Sequence, residues 1–165
     1  MFRITIAGIL LLAALISEAS ENSLERKKTV NVSMAPLSGF SSFAADFAIN
    51  EKMSLGPIVG FTSYSSGSSV NVGVALNSMF TQSIFTDGWS LNSGLQYSSA
   101  KGSTGGQVSG YSLSAIPQKN WFWSNGFNLN AGLGLQYVSL DLSSFGGIKI
   151  SGILPAIGFN VGYVF

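Results

Sequence analysis

The feature that most constrains this 165-residue chain is a period-two alternation of apolar and small polar residues. In "FNLNAGLGLQY", every odd-numbered position from Phe127 to Tyr137 is apolar or aromatic, whereas the positions between them are Asn, Gly or Gln. The segments 89–97 ("WSLNSGLQY") and 70–76 repeat this design. Strict alternation over such lengths is typical of a β strand with one apolar face. The chain is therefore predicted to be all-β.

Turn signals divide the patterned region into strands. Tight polar turns of the hairpin type are expected at 50–52, 86–88 and 124–126. Looser connections are expected near 38–39 and at 65–69, 100–107 and 141–147. We predict eight strands, over residues 29–37, 40–49, 53–64, 69–80, 89–99, 108–123, 127–140 and 147–165. Ten strands would need more turn signals than the sequence contains. The alternation of tight turns with looser loops predicts an up-and-down meander with both chain ends at the tight-turn side.

The composition indicates what surrounds these strands. The mean hydropathy is +0.38 and only 9% of the residues are charged, whereas about a quarter are charged in a soluble domain. Beyond residue 19 no apolar run is long enough for a membrane-spanning helix. A transmembrane β barrel accommodates such a composition, because its apolar residues face lipid and alternate with polar ones that face inward. We therefore predict a closed antiparallel up-and-down transmembrane β barrel over residues 29–165.

Aromatic residues bracket the apolar faces of the two longest patterned segments. Trp89 and Tyr97 lie at the ends of one, and Phe127 and Tyr137 at the ends of the other. Ten residues cover about 33 Å along a strand, or roughly 25 Å of membrane normal at a tilt of about 40°. This matches the apolar band between two aromatic girdles, to which we assign these four residues. A secreted β sandwich, the alternative, would leave the paired aromatics and the low charge unexplained.

The N-terminal segment predicts export. Arg3 precedes an apolar run over residues 4–16, and Ser17 and Ala19 supply the small residues of a cleavage site. Residues 1–19 are predicted to be a cleaved signal peptide and residues 20–28 a short periplasmic leader. An N-terminal membrane anchor is the alternative, but thirteen helical residues cover only about 20 Å of a core that is about 30 Å thick.

The composition also argues against several chemistries. The chain has no Cys and no His, so it lacks thiolate and imidazole metal ligands and the usual general base. From residue 29 onward four Lys balance four acidic residues, so no basic surface for nucleic acid is expected. The segment 101–106 ("KGSTGG") lacks the full spacing of a phosphate loop. We expect no enzyme activity, no cofactor and no metal site. Asp46 is expected on the inner face, and Lys149 near the outer rim.

The prolines conflict with regular strands, because proline cannot donate to a ladder. The four prolines are Pro36, Pro57, Pro117 and Pro155. They are expected to mark bulges or strand ends. A bulge at Pro117 would change which of Trp121, Phe122 and Trp123 face lipid.

The C-terminal strand carries a family resemblance. Ile157, Phe159, Val161, Tyr163 and Phe165 are apolar at every second position, and the chain ends on the aromatic. This resembles the C-terminal assembly signal of bacterial outer-membrane β barrels, and the architecture is similar to the small eight-stranded class that includes OmpX- and OmpW-like proteins. The resemblance implies an outer-membrane location with both termini periplasmic. It also implies contact with outer-membrane lipid and lipopolysaccharide, and recognition by the barrel-assembly machinery.

Two functions remain open from the sequence. The first is a non-enzymatic barrel with a structural or surface-interaction role in the cell envelope, which the absence of a catalytic constellation favours. The second is a narrow passive conduit for small neutral or apolar solutes, which the uncharged inner face favours.

Overall fold

The computed structural model describes residues 30–35, 41–103, 105–142 and 147–165. Its strands are β1 (Val30–Ala35), β2 (Ser41–Ala48), β3 (Met53–Tyr64), β4 (Gly67–Met79), β5 (Gly88–Gly102), β6 (Gln107–Phe122), β7 (Phe127–Leu142) and β8 (Ile148–Val164). The predicted signal peptide, the leader, Pro36 and the turn near 38–39 lie outside the described residues.

Seven strands, β2 to β8, follow one another as an antiparallel up-and-down sheet. The prediction of an all-β meander is confirmed, and the bounds of these strands lie within a few residues of the predicted ones. The short strand β1 pairs with β2 and also with β8, where four residue pairs run from Asn31↔Val164 to Met34↔Val161.

The alternation in sequence becomes an alternation of exposure. In β4, Val70, Val72 and Val74 are each 47% exposed on the outer face, whereas Ala75 on the inner face is 3% exposed. The same rule holds along β6 and β7, because successive side chains of a strand point to opposite faces.

Two prolines interrupt one ladder each without changing the register. Pro57 pairs with Val74 of β4, but the pairs between β2 and β3 skip the residues around it. Pro117 pairs with Leu91 of β5, and the pairs with β7 skip from Ala115↔Leu135 to Gln118↔Gly132.

The register on both sides of each gap is the same, so neither proline marks an inserted residue. The expectation that they mark bulges or strand ends was wrong: each lies within a strand and costs ladder bonds on one side only, since a missing N–H affects a single neighbour. Trp121 and Trp123 consequently stay exposed, whereas Phe122 is partly buried against the apolar cluster described below. Pro155 pairs with Leu135 within β8.

Two connections differ from their predicted form. The loose loop expected at 65–69 is a two-residue turn, Ser65–Ser66. The tight turn expected at 86–88 is the end of a longer connection, residues 80–87. The expected alternation of tight turns with looser loops is therefore wrong at these two connections. We call the end that carries the turns at Asn50 and Asn125 the tight-turn end. Around Asn50 and Asn125 the tight turns are as predicted, and each Asn side chain accepts a hydrogen bond from the backbone N–H two residues on.

The longer connection contributes two of the four buried residues of the apolar cluster at the tight-turn end of the sheet. Ile84 and Phe85 are 8% and 1% exposed and pack with Met79 and Val164. Phe122 and Ala48 pack against this cluster. We call these six residues the plug. Sequence patterning missed Ile84 and Phe85 because residues 80–87 have no strand period, and only their apolar character within a turn region could have indicated them.

Candidate ligand cavity

Polar side chains occupy the inner face above the plug. Because many inward positions of the strands are Asn, Gln or Ser, folding buries neutral hydrogen-bonding groups there. The buried polar residues are Asp46, Ser54, Asn77, Ser90, Gln118, Asn120, Asn128 and Asn130. All but Asp46 are uncharged, so this interior is polar but nearly neutral.

A hydrogen-bond network lies directly on the plug and connects it to the polar interior. Asn120 Nδ2 donates to Ser90 Oγ at 2.9 Å and, at longer distances, to the Gly88 carbonyl oxygen and Met79 Sδ. Gln118 Nε2 donates to Asn120 Oδ1 at 3.0 Å. Asn120 is thus held by several hydrogen bonds. We call this network of Ser90, Gln118 and Asn120 the floor of the interior.

Other inner-face groups have unused hydrogen-bonding capacity. Asn77 Oδ1, Asn130 Oδ1 and Ser54 Oγ are buried and have no hydrogen-bond partner within the protein. Asn71 donates through Nδ2 to Gln96 Oε1 at 3.3 Å, but its own Oδ1 is also without a partner. A buried polar atom that makes no hydrogen bond costs about 1–3 kcal/mol. Several such atoms on one surface are typical of a site that binds a polar ligand or water.

The facing wall, formed by β6, β7 and β8, has a different chemistry. Ile116, Val138, Leu140 and Ala156 provide apolar surface there. Glycine is required at 134 in β7, because a Cβ at that position would lie 2.2 Å from the Ala115 carbonyl oxygen. The absence of side chains at such positions leaves space between the two walls.

That space is a cavity of about 590 Å³. It reaches from Asn77, Gln118 and Asn130 near the floor to Ser69 and Val108 towards the other end of the strands. Asp46, predicted to face inward, is 8% exposed and lines the cavity. The interior is therefore hollow above the floor.

The plug closes the interior at the tight-turn end. The Ile84 N–H donates to the Glu51 carbonyl oxygen at 2.6 Å, and the Phe122 N–H donates to Asp87 Oδ1. Phe85 has a φ of 59°, in the left-handed region that side chains larger than Gly disfavour. The centroid of its ring lies 6.4 Å from that of the Phe122 ring. Burial of this ring offsets the cost of the strained backbone.

The four aromatic residues assigned to girdles are all on the outer surface. Trp89, Tyr97, Phe127 and Tyr137 are 55%, 50%, 40% and 39% exposed. None of them lines the cavity, and their contact with lipid stays a prediction.

The residues assigned to the assembly signal share the outer face of β8. Ile157, Tyr163 and Phe165 are exposed, while Phe159 and Val161 are half-buried. The Tyr163 and Phe165 rings lie 5.0 Å apart. Recognition of this strand by an assembly machinery stays a prediction.

Within the described part of the chain, no group of three or more His, Cys, Asp or Glu side chains is placed to hold a metal ion. Across the same residues, no helix is long and apolar enough to cross a membrane. No protein-family model, no curated protein and no solved structure matches this chain. Its function must therefore be argued from its own geometry.

Proposed function

We propose that the chain is a closed eight-stranded β barrel of the bacterial outer membrane, a non-enzymatic protein with a structural or surface-interaction role in the cell envelope. The observation that carries this proposal is the outer face, which is apolar along the strands and has aromatic residues at both ends. Lipid is the occupant that this face fits.

The distribution of side chains on the outer face supports a lipid contact. Large aliphatic side chains lie at mid-strand, among them Val72, Leu95, Leu113, Leu133 and Leu135, all between 47% and 71% exposed. A continuous apolar surface of this kind is unusual on a soluble monomer, which rarely exposes patches beyond a few hundred Å².

Aromatic residues lie above and below these aliphatic side chains. Tyr97 pairs with Tyr111 towards one end, and Leu113 pairs with Tyr137 at the same level. At the tight-turn end, all three tryptophans of the chain are exposed together with Phe127, Tyr163 and Phe165. Trp and Tyr are favoured at the two membrane interfaces, because their rings are amphipathic.

The charges of the described strands fit the same boundaries. Lys119 pairs with Trp89, at the level of the aromatic residues of the tight-turn end. Lys101 is exposed at the opposite end, where Asp141 pairs with Lys149. Between these levels the described outward-facing positions carry no charge, as a hydrocarbon contact requires.

The strand registers support closure. Successive residue pairs around the sheet join Ser33, Ala44, Ile58, Gly73, Gln96, Ser112, Val138 and Gly152. The series that starts at Ser33 thus reaches β8 at Gly152, whereas Ser33 itself pairs with Gly162 of β8. The stagger around the sheet is the difference between these two positions, ten residues. For eight strands with a spacing of about 4.8 Å and a rise of about 3.3 Å, this stagger corresponds to a tilt of roughly 40°, which is typical of membrane barrels.

The plug argues against the second candidate, a passive conduit. A solute that entered the cavity would meet Phe85 and the Asn120 network before it reached the tight-turn end. The barrel is therefore expected to be closed at the tight-turn end and not to conduct solutes.

Gel mobility of the refolded protein in detergent tests the barrel. We expect a compact band without heating and a slower band after boiling, because closed membrane barrels resist dodecyl sulfate until they are heated. A single band that is independent of boiling would contradict the proposal.

Two further measurements test membrane assembly and the absence of a channel. Deletion of Phe165 is expected to reduce assembly into the outer membrane, whereas removal of Phe80, an exposed aromatic in a connection, should leave it unchanged. In planar bilayers the intact protein is expected to give no discrete conductance steps. Normal assembly without Phe165 would contradict its role in the assembly signal. Regular conductance steps would favour the passive conduit instead.

A further inference from the structure

The floor of the cavity has the properties of a binding site. Asn77 and Asn130 are 8% and 5% exposed, both line the cavity, and the Oδ1 atom of each has no hydrogen-bond partner. They approach from different strands, β4 and β7. Below them, the satisfied network of Asn120 and Gln118 fixes the depth of the floor. The two unpartnered oxygens therefore belong to different strands, next to a base whose own amides are hydrogen-bonded.

The type of side chain determines the type of ligand. An amide offers an acceptor oxygen and a donor nitrogen, and a Ser hydroxyl is both donor and acceptor. Such groups complement a ligand whose own polar groups both donate and accept, which is the property of hydroxyl groups. An anion would lose its hydration without gaining an opposite charge, and it would also meet the carboxylate of Asp46 in the wall.

The second wall supplies contact for the carbon skeleton. Ile116 lies at the level of Asn92, with which it pairs through neighbouring strands, and its Cγ2 is 3.3 Å from the position of a Cβ at Gly158. Val138 and Leu140 extend this apolar surface. Small-molecule sites typically combine apolar surface with a few placed polar groups.

We propose that the floor of this cavity is a binding site for a neutral, polyhydroxylated ligand of the size of one or two sugar rings. The volume of about 590 Å³ falls within the range of about 300–1,000 Å³ that encloses small-molecule ligands. The hydroxyl groups donate to Asn77 Oδ1 and Asn130 Oδ1, and the C–H faces contact the wall formed by Ile116 and Val138. The shared chemistry covers a free saccharide and the head group of a neutral glycolipid.

Titration calorimetry on the full-length protein in lauryldimethylamine oxide micelles tests the ligand class, because this detergent has no sugar head group. The probes are glucitol and maltose as neutral polyols and gluconate as the charged relative of glucitol. We expect saturable binding of at least one neutral polyol, and binding of gluconate that is weaker than that of glucitol by about tenfold or more. Absence of saturable binding for both neutral probes, or equal binding of gluconate, would overturn the proposal.

Substitutions locate the site. Asn77→Ala and Asn130→Ala should each weaken polyol binding by roughly tenfold, as expected for one buried hydrogen bond. Gln107→Ala is the matched control, because it removes an amide that is exposed and outside the cavity, and its affinity should be unchanged. Unchanged binding in both Asn variants would refute the site.

A filling variant covers the case in which an Asn variant fails to fold. Ser114 lines the cavity opposite Gly94, where the glycine leaves room for a larger side chain. Ser114→Leu is expected to fold and to abolish polyol binding, and retained binding would place the ligand elsewhere.

Comparison of free glucose with octyl glucoside, titrated below its micelle concentration, identifies the source of the ligand. Equal affinity indicates a free saccharide, and tighter binding of the alkyl glycoside indicates a glycolipid; each result upholds the hydroxyl site. Heat-modifiable gel mobility is measured on the same samples, so that loss of the barrel is distinguished from loss of binding.

Discussion

The two ends of the interior differ in what fills them, and the difference originates in the connections between strands. At the tight-turn end, residues 80–87 join β4 to β5 and bury Ile84 and Phe85 beneath the sheet. At the opposite end, β3 and β4 are joined by only Ser65 and Ser66, both exposed. One end is packed like a small soluble core, and the cavity extends towards the other.

This contrast shows that the volume of the inward side chains decides where the interior is filled. In the eight-stranded barrel that we propose, side chains could just fill the interior. Here the row at Gly56, Ala75, Gly94 and Ser114 contributes little side-chain volume, so the strands themselves leave space that a connection can fill. The plug does so at one end, and nothing equivalent is found among the described residues of the other.

The largest effect is expected when the packed end loses its central ring. Phe85→Ala should lower the free energy of unfolding by about 3–5 kcal/mol, because a fully buried aromatic is replaced by a cavity. Phe85 is 1% exposed and contacts Phe122. Urea-dependent folding into lipid vesicles measures the change.

Phe80→Ala is the matched control for this substitution. Phe80 belongs to the same connection but is 54% exposed, so its removal should change the free energy of unfolding by less than about 0.5 kcal/mol. Equal destabilisation by the two substitutions would mean that residues 80–87 do not pack as a plug, and the contrast between the ends would disappear.

The second prediction compares crowded and open positions of the inner face. A Cβ at Gly56 would lie 1.7 Å from the Ala45 carbonyl oxygen, beside the ladder gap at Pro57, whereas a Cβ at Gly152 meets nothing within 4 Å. Gly56→Ala should therefore destabilise by about 3 kcal/mol through backbone displacement. Gly152→Ala should be neutral or slightly stabilising.

The same urea titrations test this pair of glycine variants. If Gly56→Ala were tolerated as well as Gly152→Ala, β2 and β3 would not approach each other as closely at the gap as their backbones do here.

The period-two pattern was sufficient to predict the sheet, because each strand exposes one face and the alternation in Val70–Ala75 or Phe127–Tyr137 records it directly. Turn chemistry located the tight turns at Asn50 and Asn125 for the same local reason. The register could not be predicted, since it depends on pairing between distant segments. For the same reason, the sequence could not predict whether Pro117 would shift the register of β6. A missing ladder bond and an inserted residue look the same in the sequence.

The cavity was only partly predictable. Inward-facing Asn, Gln and Ser follow from the alternation, and Asp46 was expected among them. The floor was not, because Asn120 contacts Ser90 and Met79 across thirty or more residues of sequence. The plug was missed since Phe85 lies in a connection without a strand period, where its burial is decided by tertiary packing alone.

The third prediction concerns the boundary between the packed and hollow parts. Asn120→Ala should destabilise by about 2 kcal/mol, because it removes the donor to Ser90 and the acceptor for Gln118, both in buried surroundings. Gln107→Ala, at the exposed end, removes a single 3.3 Å hydrogen bond to Ser99 and should cost less than about 0.5 kcal/mol. Similar costs for both would show that the floor network is not a structural element.

The smallest effect is expected at the attachment of the connection to the sheet. Asp87 accepts a hydrogen bond from the Phe122 N–H, and this contact holds the end of residues 80–87 against the strand that supplies Phe122 to the plug. Asp87→Ala should cost about 1 kcal/mol, since the site is exposed and water replaces part of the lost bond.

Asp87→Asn distinguishes the hydrogen bond from the charge. The amide keeps an oxygen at the same place, so this variant should retain most of the stability that Asp87→Ala loses. If Asp87→Asn were as unstable as Asp87→Ala, the carboxylate would act through its charge, and the attachment of the plug would depend on the ionic strength of the refolding buffer. Repeating the urea titrations in low and high salt decides between the two, because a neutral acceptor gives the same difference in both.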